Sequence, residues 1–320
     1  MAVFTRVARD ALARWIEGYA IGSLLEYEGI ESGIENSNYF VTTSAGRYVL
    51  TLFERLPADA LPFHLGLLHH LAARGIPCPD PVPDRTGALL GTLAGKPAAL
   101  CTRLDGHAET HPGPEHCARL GETVARMHLA AVDFPGRLPN PRGLAWLRSV
   151  APRLASHVAP EQAALLADEI EHQAAFAASP AFASLPTSAV HADLFRDNVF
   201  FDPQATSPTL VGIIDFWFAG VDTWLFDLAV AANDWCIGED GAFDDERLDA
   251  LLGAYRSVRP LRDAECAAWP TMLRAAALRF WASRLFDLHC PRPAEIMVPK
   301  DPAHFERVLR LRRADTPALH

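Results

Sequence analysis

No stretch of this chain reaches the roughly 20 consecutive apolar residues that a membrane-spanning helix needs, which excludes such a span. The opening Met1-Ala-Val-Phe-Thr-Arg6 meets a charge before an apolar segment can form, so no secretory leader and a cytoplasmic location are expected. The cysteines at 78, 101, 117, 236, 266 and 290 include no Cys-x-x-Cys pair. At this length, buried free thiols in a reducing compartment are expected in place of a disulfide framework. Excess positive charge is missing too. A formal net charge of −10 argues against nucleic acid or an anionic membrane surface as partner. No internal repeat or low-complexity segment is visible. The composition is that of an ordinary globular protein, 50% apolar and 21% charged. Its 320 residues suffice for one two-lobed unit or two domains.

What is present concentrates in one stretch. His191-Ala-Asp193-Leu-Phe-Arg196-Asp197-Asn198 carries polar groups at fixed offsets and runs into the apolar Val199-Phe200-Phe201. After Asp202 to Pro208, a second apolar run, Val211-Gly-Ile-Ile-Asp215, ends on a carboxylate. Two short apolar runs around a loop of turn residues predict a β-hairpin. Asn198 would stand at one strand's start and Asp215 at the other's end. Phosphoryl transfer needs a carboxylate to accept a hydroxyl proton and oxygen ligands to hold magnesium on the phosphates. Asp193 supplies the base, Asn198 a neutral oxygen ligand and Asp215 an anionic one. Mg2+ favours one or two protein carboxylates completed by phosphate and water. Each residue alone reads as a turn or cap residue; the joint pattern carries the chemistry. A metallohydrolase built on His191 and Asp193 would need further ligands, and no second histidine cluster offers them.

This pattern resembles the catalytic loop and metal segment of the aminoglycoside phosphotransferase and choline kinase group, relatives of the protein kinases. Ser32-Gly-Ile-Glu-Asn36-Ser-Asn38-Tyr-Phe-Val41, Arg47-Tyr-Val-Leu-Thr-Leu-Phe-Glu54 and Trp281-Ala-Ser-Arg-Leu-Phe-Asp287 resemble the bacterial homoserine kinase branch of that group. The resemblance covers essentially the whole chain. It implies an α+β, protein-kinase-like fold with a small β-rich lobe over residues 1–103 and a larger, mainly helical lobe over 104–320. It implies ATP and Mg2+ as cofactors and L-homoserine as acceptor, giving O-phospho-L-homoserine on the way to threonine. Another small-alcohol kinase of the group, or a nucleotide-binding regulatory module without activity, stand as alternatives. His191 and Asp227 resemble the residues that hold the shape of the catalytic loop. Thr102, Arg103 and Leu104 fall where the group's inter-lobe backbone meets the adenine edge.

The chain also departs from the group. The loop that would cover the phosphates, Glu31 to Asn38, holds one glycine; Ser32, Gly33 and Asn36 are its candidate contacts. Thr51 stands where a basic strand residue is expected. The following helix, Leu61 to Arg74, has no acidic residue and offers His64 in the glutamate's place. Phosphate binding then falls to metal, loop amides, Arg47 or Arg55. Asn38, Arg196, Trp217 and Arg284 are the candidate acceptor contacts. Arg284 lies on a helix predicted over Ala264–Leu288, with Arg274 and Arg279. A guanidinium on that helix is either a two-pronged carboxylate receptor or a solvent-facing group.

Overall fold

The computed structural model describes residues 5–30, 36–290 and 300–314. They form two compact units, residues 1–106 with 211–217, and residues 107–210 with 218–320.

The first unit opens with helix α1 (Arg9–Ile16), strands β1 (Leu24–Gly29), β2 (Ser37–Thr43) and β3 (Gly46–Leu52), helix α2 (Leu61–Ala72) and strands β4 (Gly91–Leu93) and β5 (Lys96–Thr102). The strands make one antiparallel sheet in the order β1-β2-β3-β5-β4. Burial along β2 alternates with period two, as a strand with one face on a core requires. That core gathers Leu12, Ile16, Val41, Leu50, Leu52 and Leu100. The β4–β5 turn uses Ala94 at φ 51° and Gly95 at φ 75°, the paired left-handed geometry that matches strand twist.

Three sequence expectations shift here. The i, i+3, i+4 spacing of Val7, Ala8, Ala11, Leu12, Trp15 and Ile16 predicts a helix from about Thr5, with Thr5 as a possible N-cap, but α1 begins at Arg9. The Thr5 N–H instead donates to Ser37 Oγ at 2.9 Å and the Val7 N–H to Tyr39 Oη at 3.2 Å, which holds the segment extended. Ala88-Leu-Leu and Lys96–Thr102 read from the sequence as the two arms of a hairpin, but the first strand starts at Gly91. Asp84 Oδ1 accepts the Thr86 and Ala88 N–H groups at 2.8 and 2.9 Å and keeps that segment in a turn. Finally, residues 211–217 join the β-rich unit. The Ile213 N–H donates to the Pro77 carbonyl at 2.7 Å, and Trp217 meets Phe53 edge-on with centroids 4.8 Å apart.

The second unit runs through β6 (His107–Ala108), α3 (Pro114–Ala130), α4 (Leu144–Ala155), α5 (Pro160–Ala177), α6 (Pro180–Ala183), β7 (Thr187–Val190) and β8 (Val199–Phe201). Strand β9 (Leu210–Ile213) leads into the first unit. The chain returns through β10 (Gly220–Thr223), α7 (Trp224–Trp235), α8 (Asp245–Val258), α9 (Asp263–His289) and α10 (Ala303–Ala314). Every residue of α7 is buried, as its apolar character all round demands, so this helix is the axis of the unit. Thr223 caps it, its hydroxyl accepting the Phe226 N–H at 3.3 Å. β7 pairs with β10 and β6 with β8, both antiparallel. No helix among the described residues is long and apolar enough to cross a membrane.

Helices α3 and α8 touch backbone to backbone at Gly121, where an added Cβ would collide with the Leu251 carbonyl oxygen. Both partners are main chain and neither can swing away. Gly121→Ala is therefore expected to cost about 1–3 kcal/mol of stability, seen as an earlier midpoint in urea or thermal unfolding; an unchanged midpoint would mean the two helices separate at no cost.

Candidate active site

The loop from His191 to Asn198 links β7 to β8, and its shape is imposed from α7. Asp227 sits in the first turn of that helix, fully buried. Its Oδ2 accepts the His191 N–H at 3.0 Å and its Oδ1 the Ala192 N–H at 2.7 Å. Between those anchored amides Ala192 adopts φ 63°, a left-handed conformation costly for a residue with a Cβ. One carboxylate gripping two consecutive N–H groups offsets that strain. Burial, the largest influence on Asp227, pushes its pKa up. The hydrogen bond from His128 and the nearby histidines outweigh it, and the carboxyl titrates below its ordinary value.

Behind Asp227 runs a fully buried chain of polar side chains. His128 Nε2 lies 3.1 Å from Asp227 Oδ2 and its Nδ1 2.8 Å from Tyr255 Oη. Arg259 Nε donates to the same hydroxyl at 3.0 Å, and Glu265 accepts from the Arg259 guanidinium. Each member has its partner, which is the condition under which buried polar groups rigidify a site without weakening it.

Within the loop the bonds converge on Asp193. Its N–H donates to His191 Nδ1 at 3.2 Å, and its carbonyl accepts from the Phe195 N–H at 2.8 Å. Asn198 Nδ2 donates to the Asp193 carbonyl at 2.8 Å and to its Oδ2 at 3.2 Å. With the amide nitrogen engaged there, Asn198 Oδ1 is the atom left to act as an oxygen ligand. Asp193, His191, Asn198 and Asp227 are thus one bonded cluster.

Arg279, on α9, also reaches that cluster: Nη1 lies 3.4 Å from Asp193 Oδ1. Its guanidinium stacks 3.8 Å from the centre of the Phe280 ring and 5.1 Å from that of Phe218. The sequence placed Arg279 on the right helix beside two other arginines, with no local signal to choose among them. Arg284 points elsewhere, donating to the Asp301 carbonyl at 2.9 Å and lying over Phe305. Arg196 is held by Asp234 through its N–H at 2.8 Å and its Nε at 3.2 Å, and it donates to the Thr110 carbonyl at 3.0 Å. Burial lifts the Asp234 pKa, against the opposing pull of Arg196. Together with Thr110, Arg247 and His304, Arg196 lines a cavity of about 650 Å³.

The remaining candidates belong to the first unit. Asp215 follows β9 in a left-handed conformation, φ 65°. A carboxylate there and a neutral amide oxygen at Asn198 are hard oxygen donors of the kind Mg2+ takes. Trp217 packs against Phe53 and against His64, with ring centroids 4.8 and 6.0 Å away. His64, where a helix glutamate was expected, is buried and bonded to the Phe216 backbone; burial depresses its pKa to about 4, so the ring is neutral at physiological pH. Thr51 donates its hydroxyl to Asn38 Oδ1 at 2.8 Å, and Asn36 Oδ1 accepts the Glu54 N–H at 3.4 Å. An ion pair missed in the sequence joins β5 to the end of β3: Lys96 Nζ stands 3.0 Å from Glu54 Oε2. Arg47 is paired with Asp105 at 2.6 Å. Of the amides of Thr102, Arg103 and Leu104, the Thr102 N–H already donates to the Asp80 carbonyl at 2.9 Å and the Arg103 N–H to the Arg47 carbonyl at 3.1 Å. That leaves the Leu104 N–H as the remaining donor of the three. Ser32 and Gly33 lie outside the described residues.

A model of the phosphotransferase enzyme family matches residues 26–261. A homoserine kinase of Burkholderia multivorans is 53% identical over all of this chain and 98% of its own length. One from Burkholderia lata is 52% identical over the same shares. Among solved structures, amicoumacin kinase bound to AMP-PNP and Ca2+ superposes with a TM-score of 0.70 at 16% identity, covering 97% of this chain and 94% of that one. A microcompartment-associated aminopropanol kinase gives 0.64 at 17% identity, covering 96% and 97%. The fold is the α+β, two-lobed, protein-kinase-like one expected from the sequence, with a small β-rich lobe and a larger, mainly helical lobe. The chain belongs to the phosphotransferase enzyme family, within the branch of its homoserine kinase relatives.

Proposed function

We propose that this enzyme transfers the γ-phosphate of ATP to the hydroxyl of L-homoserine, giving ADP and O-phospho-L-homoserine, a step toward threonine in the cytoplasm. The near-full-length identity to homoserine kinases supports the acceptor. The observation that carries the chemistry is the Asp193 carboxylate, pinned at its N–H, its carbonyl and its Oδ2.

In this reading Asp193 accepts the acceptor's hydroxyl proton as that oxygen bonds to the γ-phosphorus and the bond to the β-bridging oxygen breaks. The proton then passes from Asp193 to solvent. Asn198 and Asp215 would be the oxygen ligands of Mg2+, which would supply charge neutralisation for the phosphates. His191 and Asp227 keep Asp193 in place and touch no reacting atom. Leu104 donates its N–H to the adenine edge, and Asn36 belongs to the phosphate-covering loop. Lys96 and Glu54 take the place of the strand–helix ion pair that Thr51 and His64 do not make.

The test is ADP release coupled to a spectrophotometric readout, over a panel of hydroxyl acceptors, with and without Mg2+. Homoserine is expected to be the preferred acceptor, and chelation of the metal to abolish turnover. Turnover with choline or an aminoglycoside but not with homoserine would reassign the acceptor.

A further inference from the structure

We propose that Asp234 is a positioning residue for Asn198: it fixes the part of the loop that follows Asp193, as Asp227 fixes the part that precedes it. The inference rests on the role given above to Asn198, an oxygen ligand of Mg2+, and deepens it. The two carboxylates stand seven residues apart on α7. That is close to two full turns, so they share one face of the helix about 10 Å apart along its axis. Asp227 takes the N–H groups of His191 and Ala192, and Asp234 Oδ2 takes that of Arg196 at 2.8 Å. Between these grips the indole N–H of Trp235 donates to the Leu194 carbonyl at 3.0 Å. One helix thus holds the main chain of the loop on both sides of Asp193.

The grip at Arg196 is the one that bears on Asn198. Arg196 opens a single 3-10 turn, Arg196–Asn198, and Phe195 before it offers no side-chain cap. The first N–H of such a turn has no acceptor inside the turn, and Asp234 supplies one. The Asn198 N–H then closes the turn on the Phe195 carbonyl at 2.9 Å, and Asn198 itself is buried. Its side-chain oxygen stands where the turn puts it, and the turn begins at Asp234. Arg196, a candidate acceptor contact in the sequence, serves here as a clamp on that carboxylate. Its Nε reaches Asp234 Oδ2 at 3.2 Å while its Nη1 donates to the Thr110 carbonyl at 3.0 Å. This pairing offsets the cost of withdrawing a carboxylate whose side chain is only 12% exposed. The helix is anchored at the same level. Asn233 donates to the Leu273 carbonyl of α9 at 2.8 Å and accepts from Arg312 Nε of α10 at 3.0 Å.

The experiment takes the wild type, Asp234→Asn and Arg196→Lys, each first checked for its unfolding midpoint. It measures the Mg2+ concentration that gives half-maximal turnover at fixed ATP, and by calorimetry the affinity for ADP with and without Mg2+. Loss of a partner that orients a metal ligand typically weakens metal affinity or activity by about 10–100-fold. Asp234→Asn is therefore expected to raise the half-activating Mg2+ concentration about tenfold or more and to weaken ADP binding in Mg2+, with metal-free ADP binding unchanged. At saturating Mg2+ its kcat is expected to return close to the wild-type value, a recovery that excess metal cannot give to a variant lacking the base. Arg196→Lys keeps a cation beside Asp234 and loses the second bond to Thr110, so the same shift is expected at smaller size. It decides the matter if Asp234→Asn does not fold. An unchanged half-activating concentration, whatever becomes of the midpoint or of kcat, would leave Asp234 a merely structural residue and overturn the proposal. A wild type that binds ADP and turns over equally well without Mg2+ overturns the assignment of Asn198 itself, an outcome that needs no variant to recognise.

Discussion

Asp193→Asn is expected to lower kcat by roughly 10²–10⁴-fold, the range for losing a general base, with the KM for ATP little changed. The substitution leaves the loop standing, because the bonds that shape it run to main-chain atoms. His191 Nδ1 still takes the residue-193 N–H, and Asn198 Nδ2 still finds the carbonyl. At the side chain, an amide faces two donors, Asn198 Nδ2 at 3.2 Å and Arg279 Nη1 at 3.4 Å, so one of them meets an NH2 group. That mismatch is local. The lost function is chemical, since the hydroxyl proton has no acceptor of sufficient basicity. What survives is the rate supplied by positioning and phosphate neutralisation. A steady-state series over both substrates checks it, and a variant turning over at the wild-type rate would remove Asp193 from the mechanism.

Asp227→Ala is expected to be the most damaging change to stability, by about 3–5 kcal/mol, as for one partner removed from a buried charged set. That is a large share of the 5–15 kcal/mol typical of a folded domain. Three donors lose their acceptor at once: the His191 and Ala192 N–H groups and His128 Nε2. Ala192 then has no compensation for its left-handed backbone, and Asp193, one residue on, loses its placement. Asp227→Asn should cost less, but whichever way its amide turns, an NH2 group faces a donor. Urea unfolding and kcat measured together test this; a variant as stable as the wild type would show that α7 does not hold the loop. The same group sets a pH dependence. Its folded-state pKa is lowered, so the stability it contributes is present above the unfolded value of about 3.9 and is lost as pH falls through the lower folded one. Acid unfolding of the wild type should steepen below about pH 4, and that component should be missing from Asp227→Ala.

Much of this arrangement was legible in the sequence where the determining contacts are short in chain distance. Asp193 and Asn198 share one loop, and the four positions between them suffice to close it, so their spacing alone announced the pairing. The β2–β3 hairpin is legible as two short β-rich runs, Tyr39 to Thr43 and Arg47 to Phe53, on either side of the turn Ser44-Ala-Gly46, since a hairpin needs nothing beyond its neighbour strand. Legibility failed where a distant partner won. Thr5 resembles a helix cap, but Ser37 takes its N–H. Ala88–Leu90 resembles a strand, but Asp84 curls it. Nothing local separates Arg274, Arg279 and Arg284, three similar side chains on one helix whose ends go to Glu169, Asp193 and Asp301.

By itself, then, the sequence determined the family, the reaction class and the loop proposed to carry the base, because each is written in residue types at fixed separations along the chain. Tertiary structure decided which arginine stands at Asp193, that Lys96 pairs with Glu54, and that a buried chain from Glu265 to Asp227 supports the loop from His191 to Asn198. Those outcomes are competitions among side chains tens of residues apart for the same few donors and acceptors. Only the packed fold brings the competitors within hydrogen-bonding distance.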